Sequence, residues 1–205
     1  IWMNRRLFLI LIALIAMAVA ACAPTVNLLD ENNLKDTSLL TGEPCEAPCW
    51  NNIIPGETSF RDALIIAQDD SNLANVKEEE PSEETDARLF SFAGSEGGNV
   101  CCQVLSEDGE TVDSMLFFLA PEMTLGEVIE KYGDPTYVLG EEVSEEQAVI
   151  FLVYPDVPIV IYAHVAGAQA ELSASSEIVG LLYISADGMD RLVKGNRFYN
   201  WEGYQ

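Results

Sequence analysis

Six short apolar runs constrain this chain more than any other feature: "ARLFSF" from Ala87, "NVCCQVL" from Asn99, "TVDSMLFFL" from Thr111, "AVIFLVY" from Ala148, "PIVIYAHV" from Pro158 and "EIVGLLYIS" from Glu177. Each is rich in β-branched and aromatic residues, and each is bounded by Gly, Pro, Ser or acidic residues. That pattern reads as β-strands. The connecting loops, such as "SEDGE" at 106–110, are short, which suits antiparallel pairing. Three runs lie in each half of the chain, and a helical pattern precedes each set. "ETSFRDALIIAQ", starting at Glu57, places Phe60, Ala63, Leu64 and Ala67 at helical spacing. "MTLGEVIEKYGDP", starting at Met123, does the same with Leu125, Val128, Ile129 and Tyr132. Thr58 and Thr124 are the expected N-caps. They stand 66 residues apart, the same offset that separates Val112 from Ile178. The expected fold is therefore α+β. Two tandem helix-plus-antiparallel-meander repeats, about 44–121 and 122–205, would each pack a helix on an antiparallel sheet.

The entry "IIPGETSFRDAL" and the stretch "MTLGEVIEKYGDPTYV" carry a resemblance. They resemble tandem-repeat domains similar to the beta-lactamase inhibitor protein and to the small lipoprotein of the outer-membrane barrel assembly machinery. In those domains a Pro-Gly entry precedes the helix and a Gly-x-Pro exit follows it. The first half keeps Pro55-Gly56 and lacks the exit; the second keeps Gly133-Asp134-Pro135 and has "PEMT" at its entry. The opening "PCWNNIIPG" is also similar to that of bacterial lipoproteins of unassigned function. The resemblance implies a binding or assembly module and no enzyme. It does not carry inhibition of beta-lactamase, which resides in surface loops that need not be shared.

The N-terminus points to a compartment. Arg5 and Arg6 precede an apolar run of 15 residues, Leu7 to Ala21, shorter than the roughly 20 needed to cross hydrocarbon. Residues 1–21 read as a secretory signal. Val19-Ala20-Ala21-Cys22 resembles a lipobox, which implies cleavage before Cys22 and acylation of its thiol, with palmitate among the expected chains. Several acyl chains hold a protein on a membrane far more firmly than one. The expected location is the cell membrane or the outer membrane, facing the extracytoplasmic side. Residues 22–43 are polar and aperiodic and read as a flexible tether spanning roughly 25 Å. The globular region is then 44–205, long enough for a real core.

Loss of residues 1–21 removes two of the ten basic residues and no acid, so the formal charge moves from −24 to −26. Such a surface repels nucleic acid, which is excluded as a partner. The runs "KEEEPSEETD" and "GEEVSEEQ" read as solvated loops. Cations gather only near the C-terminus, where Arg191, Lys194 and Arg197 accompany Phe198, Tyr199, Trp201 and Tyr204. Arg191, Lys194, Arg197 and Trp201 form a candidate contact patch; the competing reading has the aromatics closing a core edge.

Cys45 and Cys49 stand four apart and are expected to form a disulfide, because an exported chain meets an oxidising space and such spacing brings α-carbons within bridging range. Its expected task is to hold Trp50 against the first repeat. Cys101 and Cys102 fall within one strand, where neighbours point to opposite faces, so one is expected to be buried. A vicinal bridge, or crossed bridges to Cys45 and Cys49, stay open. Zinc is disfavoured because the chain holds one histidine, His164.

Catalytic signatures are absent from the sequence. His164 lies in a strand pattern, and "AGSEGG" around Ser95 lacks the spacing of a nucleophile elbow. There is no H-E-x-x-H, no P-loop and no EF-hand loop. The expectation is a membrane-anchored, extracytoplasmic, non-catalytic protein-binding or envelope-assembly module without a cofactor or a resident metal. A hydrolase acting on cell-wall or glycan substrates through acidic residues, and a passive envelope structural protein, are the alternatives. Calcium binding by the clustered acids stays open.

Overall fold

The computed structural model describes residues 27–79, 85–95, 97–167 and 169–204. The expected signal segment 1–21 and the expected lipidation site Cys22 lie outside the described residues. The elements run α1 (Ser38–Thr41), α2 (Phe60–Asp69), β1 (Ala74–Glu78), β2 (Arg88–Ala93), β3 (Val100–Ser106), β4 (Ser114–Phe118), α3 (Leu125–Tyr132), β5 (Tyr137–Ser144), β6 (Gln147–Tyr154), β7 (Ile159–Val165), β8 (Ile178–Ile184), α4 (Ala186–Gly195) and β9 (Tyr199–Asn200). All nine strands belong to one sheet, in the order β1-β2-β3-β4-β8-β7-β6-β5-β9, and every pair is antiparallel.

This overturns the expectation of two helix-on-meander repeats. β4 pairs with β8 from Ser114↔Ile184 to Phe118↔Gly180, so the sheet has no internal boundary. Its helices are four short ones among the described residues. The physical reason lies in the strand edges. β4 (SMLFF) and β8 (IVGLLYI) are strongly apolar, and two separate meanders would each leave such a strand with an unpaired row of backbone N–H and C=O groups. Pairing the two removes both edges and runs one core across the seam: Phe90, Phe92, Phe117, Tyr183, Ile161 and Leu152 belong to a single buried cluster.

Two helices cover one face of that sheet. α2 buries Phe60, Ala63 and Ala67, and α3 buries Leu125 and Val128. The cap of α2 is Ser59, whose Oγ accepts from Asp62 N at 3.1 Å; Thr58 instead accepts from Ile54 N at 2.8 Å. Thr124 does cap α3, with its N–H and hydroxyl both bonded to Glu127 Oε2 at 2.8 Å. α4 packs on the opposite face, where Met189 meets Val153 and Val160.

Residues 27–43, read from the sequence as part of a tether, are packed where they are described. Leu34 and Leu39 are buried, and Leu34 forms a parallel bridge with Leu119. Leu34 N donates to Phe118 O at 3.2 Å, and Ala120 N donates to Leu34 O at 2.9 Å. Two leucines five apart in a polar stretch carry too little periodicity to announce this. Cys45 and Cys49 are disulfide-bonded, with α-carbons 5.7 Å apart. The adjacent Trp50 stacks on Phe92 at 5.5 Å and meets Phe117 at 4.7 Å.

Cys101 and Cys102 are both free and both buried. The ladder passes from Phe92↔Cys102 to Ala93↔Val100, so Cys101 is the extra residue of a β-bulge. Strict alternation fails there, and both thiols leave the solvent. Burial pushes the Cys102 thiol far up, and its hydrogen bond to Cys101 pulls the Cys101 thiol down.

Candidate binding cleft

β9 is two residues long, yet it shapes the far edge of the sheet. Tyr137↔Asn200 and Val138↔Tyr199 pair it with β5, and Trp201 N donates to Thr136 O at 3.1 Å. Alternation along the strand splits the aromatic tail between faces. Phe198 stacks on Tyr137 at 6.2 Å in the cluster beneath α4. Trp201 packs against the main core on the other face and carries Tyr204 edge-on at 5.6 Å.

Between this edge and the loop after β7 lies a cleft of about 500 Å³. Val138, Ile150 and Leu172 line its apolar part, Tyr199 and Trp201 contribute aromatic rings, and Asn200 and Glu202 supply polar atoms. Tyr199 is 72% exposed, the most exposed large apolar side chain among the described residues. Glu202 is the one carboxylate on its lining among the described residues. No group of three or more His, Cys, Asp or Glu among the described residues could hold a metal ion. The arrangement can desolvate an apolar group between two rings and orient it by one amide and one carboxylate. It lacks a base paired with a nucleophile.

The structure separates the residues of the expected contact patch. Arg191 Nη2 bonds Glu107 Oε2 at 2.9 Å, and Lys194 Nζ bonds Asp190 Oδ2 at 2.7 Å, both exposed pairs. Arg197 is exposed in the segment after α4. Arg191 and Lys194 belong to α4 on one side of the sheet, whereas Trp201 packs against the main core on the other. Phe198 and Trp201 close core edges, and Tyr199 between them stays open. Tyr199 stood in the aromatic cluster visible in the sequence; Val138, Ile150 and Leu172 gave no signal, because only the β5–β9 pairing brings them to one hollow.

Other candidate groups sit elsewhere. His164 lies in β7 opposite Val149 and is half-buried. Ser95 is exposed in the loop between β2 and β3. Burial pushes Tyr162 up to about 12 and raises Tyr154, whose buried hydroxyl has no hydrogen-bond partner among the described residues. Neither tyrosine lines the cleft. Among the described residues no helix is long and apolar enough to cross a membrane. Comparison with protein-family models, with curated proteins and with solved structures finds no match to this chain.

Proposed function

We propose that this chain is a lipid-anchored, extracytoplasmic binding or envelope-assembly module that works without a catalytic centre, and that the β5–β9 cleft receives an apolar group of a protein partner. The observation that carries the reading is the exposure of Tyr199 over an apolar hollow. Aromatic side chains left open at such a rim bury large area at small entropic cost when a partner arrives. The acidic surface, with a formal charge of −24 for the full chain, favours a partner with a basic rim. Anchoring rests on Arg5, Arg6, the apolar run and Cys22, which together supply an export signal and an acyl acceptor. The membrane concerned is the cell membrane or the outer membrane.

A photo-crosslinking amino acid placed at position 199 in the full chain, expressed in a bacterium that exports and acylates it, tests the binding role. One discrete adduct is expected, lost when Trp201 is changed to Ala. A smear of abundant proteins, unchanged by Trp201→Ala, would refute a specific site. Fractionation of Cys22→Ser tests the anchor: release from the membrane is expected, and unchanged membrane association refutes lipidation at that residue.

A further inference from the structure

We infer that the end of the sheet at which the chain enters rests on the bilayer, with Val100 and Phe118 in contact with lipid. This rests on acylation at Cys22 and deepens it by assigning the face that meets the membrane. Only five peptide steps separate Cys22 from Asn27, the first described residue. Fully extended, they reach at most about 17 Å. A tether ending at residue 43 would have let the body drift well clear of the headgroups; a leash ending at residue 27 does not.

Where that leash attaches is fixed by three contacts. Leu28 N donates to Gln147 Oε1 at 3.0 Å, and Leu34 is held to both Phe118 and Ala120 through its backbone. Asn27 and Leu28 border a shallow hollow of about 310 Å³ together with Asn99, Val100, Cys101 and Phe118. Val100 is 61% exposed and Phe118 42%. Val143, exposed near the tip of β5, lies beside Ser144, the partner of Gln147. Among the described residues, three of the six large apolar side chains most open to water thus stand at the end that carries the anchor, where contact with acyl chains and headgroups removes them from water. The opposite end, marked by Glu110 in the turn between β3 and β4, lies a strand length away, about 23 Å for a seven-residue strand, beyond the reach of the leash.

Charge selects the kind of bilayer. Glu31, Glu145 and Glu146 are exposed at the entering end and Asp30 is half-buried there, so an anionic surface repels it and a zwitterionic one does not. The repulsion is screened by salt over about 10 Å at 0.1 M.

The test uses the full acylated chain, reconstituted into phosphatidylcholine vesicles, with an environment-sensitive fluorescent amino acid at position 100 or, in a second variant, at position 110. The label at 100 is expected to shift to the blue and to be quenched by aqueous iodide several-fold less than the label at 110. Adding anionic lipid at low ionic strength should reduce that protection, and salt should restore it. Equal quenching at 100 and 110 while the protein co-sediments with the vesicles would overturn the assignment of the face. Failure of the acylated chain to co-sediment would instead overturn the anchor, and the contact with it.

Discussion

Trp50 donates its indole N–H to Asp36 Oδ2 across 2.6 Å, which ties the N-terminal strap to the aromatic centre of the core. Trp50 is only 4% exposed, and Asp36 also accepts Ser38 N at 2.7 Å. The carboxylate thus serves two donors. Asp36→Ala leaves the indole N–H buried without a partner, which costs about 1–3 kcal/mol. Asp36→Asn keeps an acceptor oxygen and should cost clearly less. Urea denaturation of the two variants checks this, and equal losses would show that the side chain matters only by its bulk.

A second close relationship concerns Gly180. A β-carbon placed there would stand 2.7 Å from Tyr162 Cδ2 and 3.1 Å from Cγ. These atoms belong to a ring packed edge-on against Phe151 at 4.8 Å, so the neighbour cannot swing away cheaply. Gly180→Ala is expected to destabilise the protein by about 1–3 kcal/mol, as overpacking does. Tyr162→Leu, which withdraws the ring, should make the same change at 180 nearly neutral. A double-mutant cycle measured by thermal or urea unfolding would show that coupling, and strict additivity would remove the steric explanation.

The cysteines divide by accessibility. Cys101 and Cys102 are free and buried, while Cys45 and Cys49 are bonded to each other. In a Cys22→Ser variant, which removes the fifth cysteine of the chain, an alkylating reagent should therefore leave the native fold unmodified and should label two thiols once the chain is unfolded without reductant. Labelling of either thiol in native protein would contradict the burial imposed by the bulge. The five-residue loop closed by Cys45–Cys49 restricts the unfolded chain only modestly, and replacing both residues with Ser should cost about 2 kcal/mol.

Much of the strand content was legible in the sequence, and the contrast between strands shows why. β2, β3, β4, β6, β7 and β8 bury side chains and so carry apolar runs. β1, β5 and β9 lie at or near the sheet edges, and their side chains leave little trace of period: Glu141 and Glu142 belong to β5 although the run around them reads as a solvated loop. Pairing with β6 makes that segment a strand. The seam between β4 and β8 was invisible because each half has a plausible meander of its own, and no local pattern states which strand ends meet. Alternation misled at Cys101, where one extra residue changes the face. The cleft suffered most, since it is assembled from β5, β6, the loop after β7 and the chain after α4.

Acid should expose the contribution of one surface turn. Asp108 Oδ1 accepts from Thr111 N at 2.9 Å, Glu110 N at 2.8 Å and Ser106 Oγ at 3.0 Å. Those donors, the Thr111 N–H first, hold its carboxyl below the ordinary 3.8. They fasten a turn in which Gly109 adopts φ +75° and has no room for a β-carbon, with Asp86 O at 2.6 Å. The unfolded chain binds a proton at this group more tightly than the folded one, so ionised Asp108 stabilises the fold fully above 3.8. That contribution fades as pH falls through the depressed folded-state value. Total stability cannot reveal it alone, because protonating other acids of a chain charged at −24 also relieves their mutual repulsion. The difference between wild type and Asp108→Ala isolates it. Measured by urea unfolding from about pH 6 down to about pH 2, the gap should be constant at first and then narrow below 3.8. A gap that keeps its size down to the acid limit would show that the ionised carboxylate does not hold the turn.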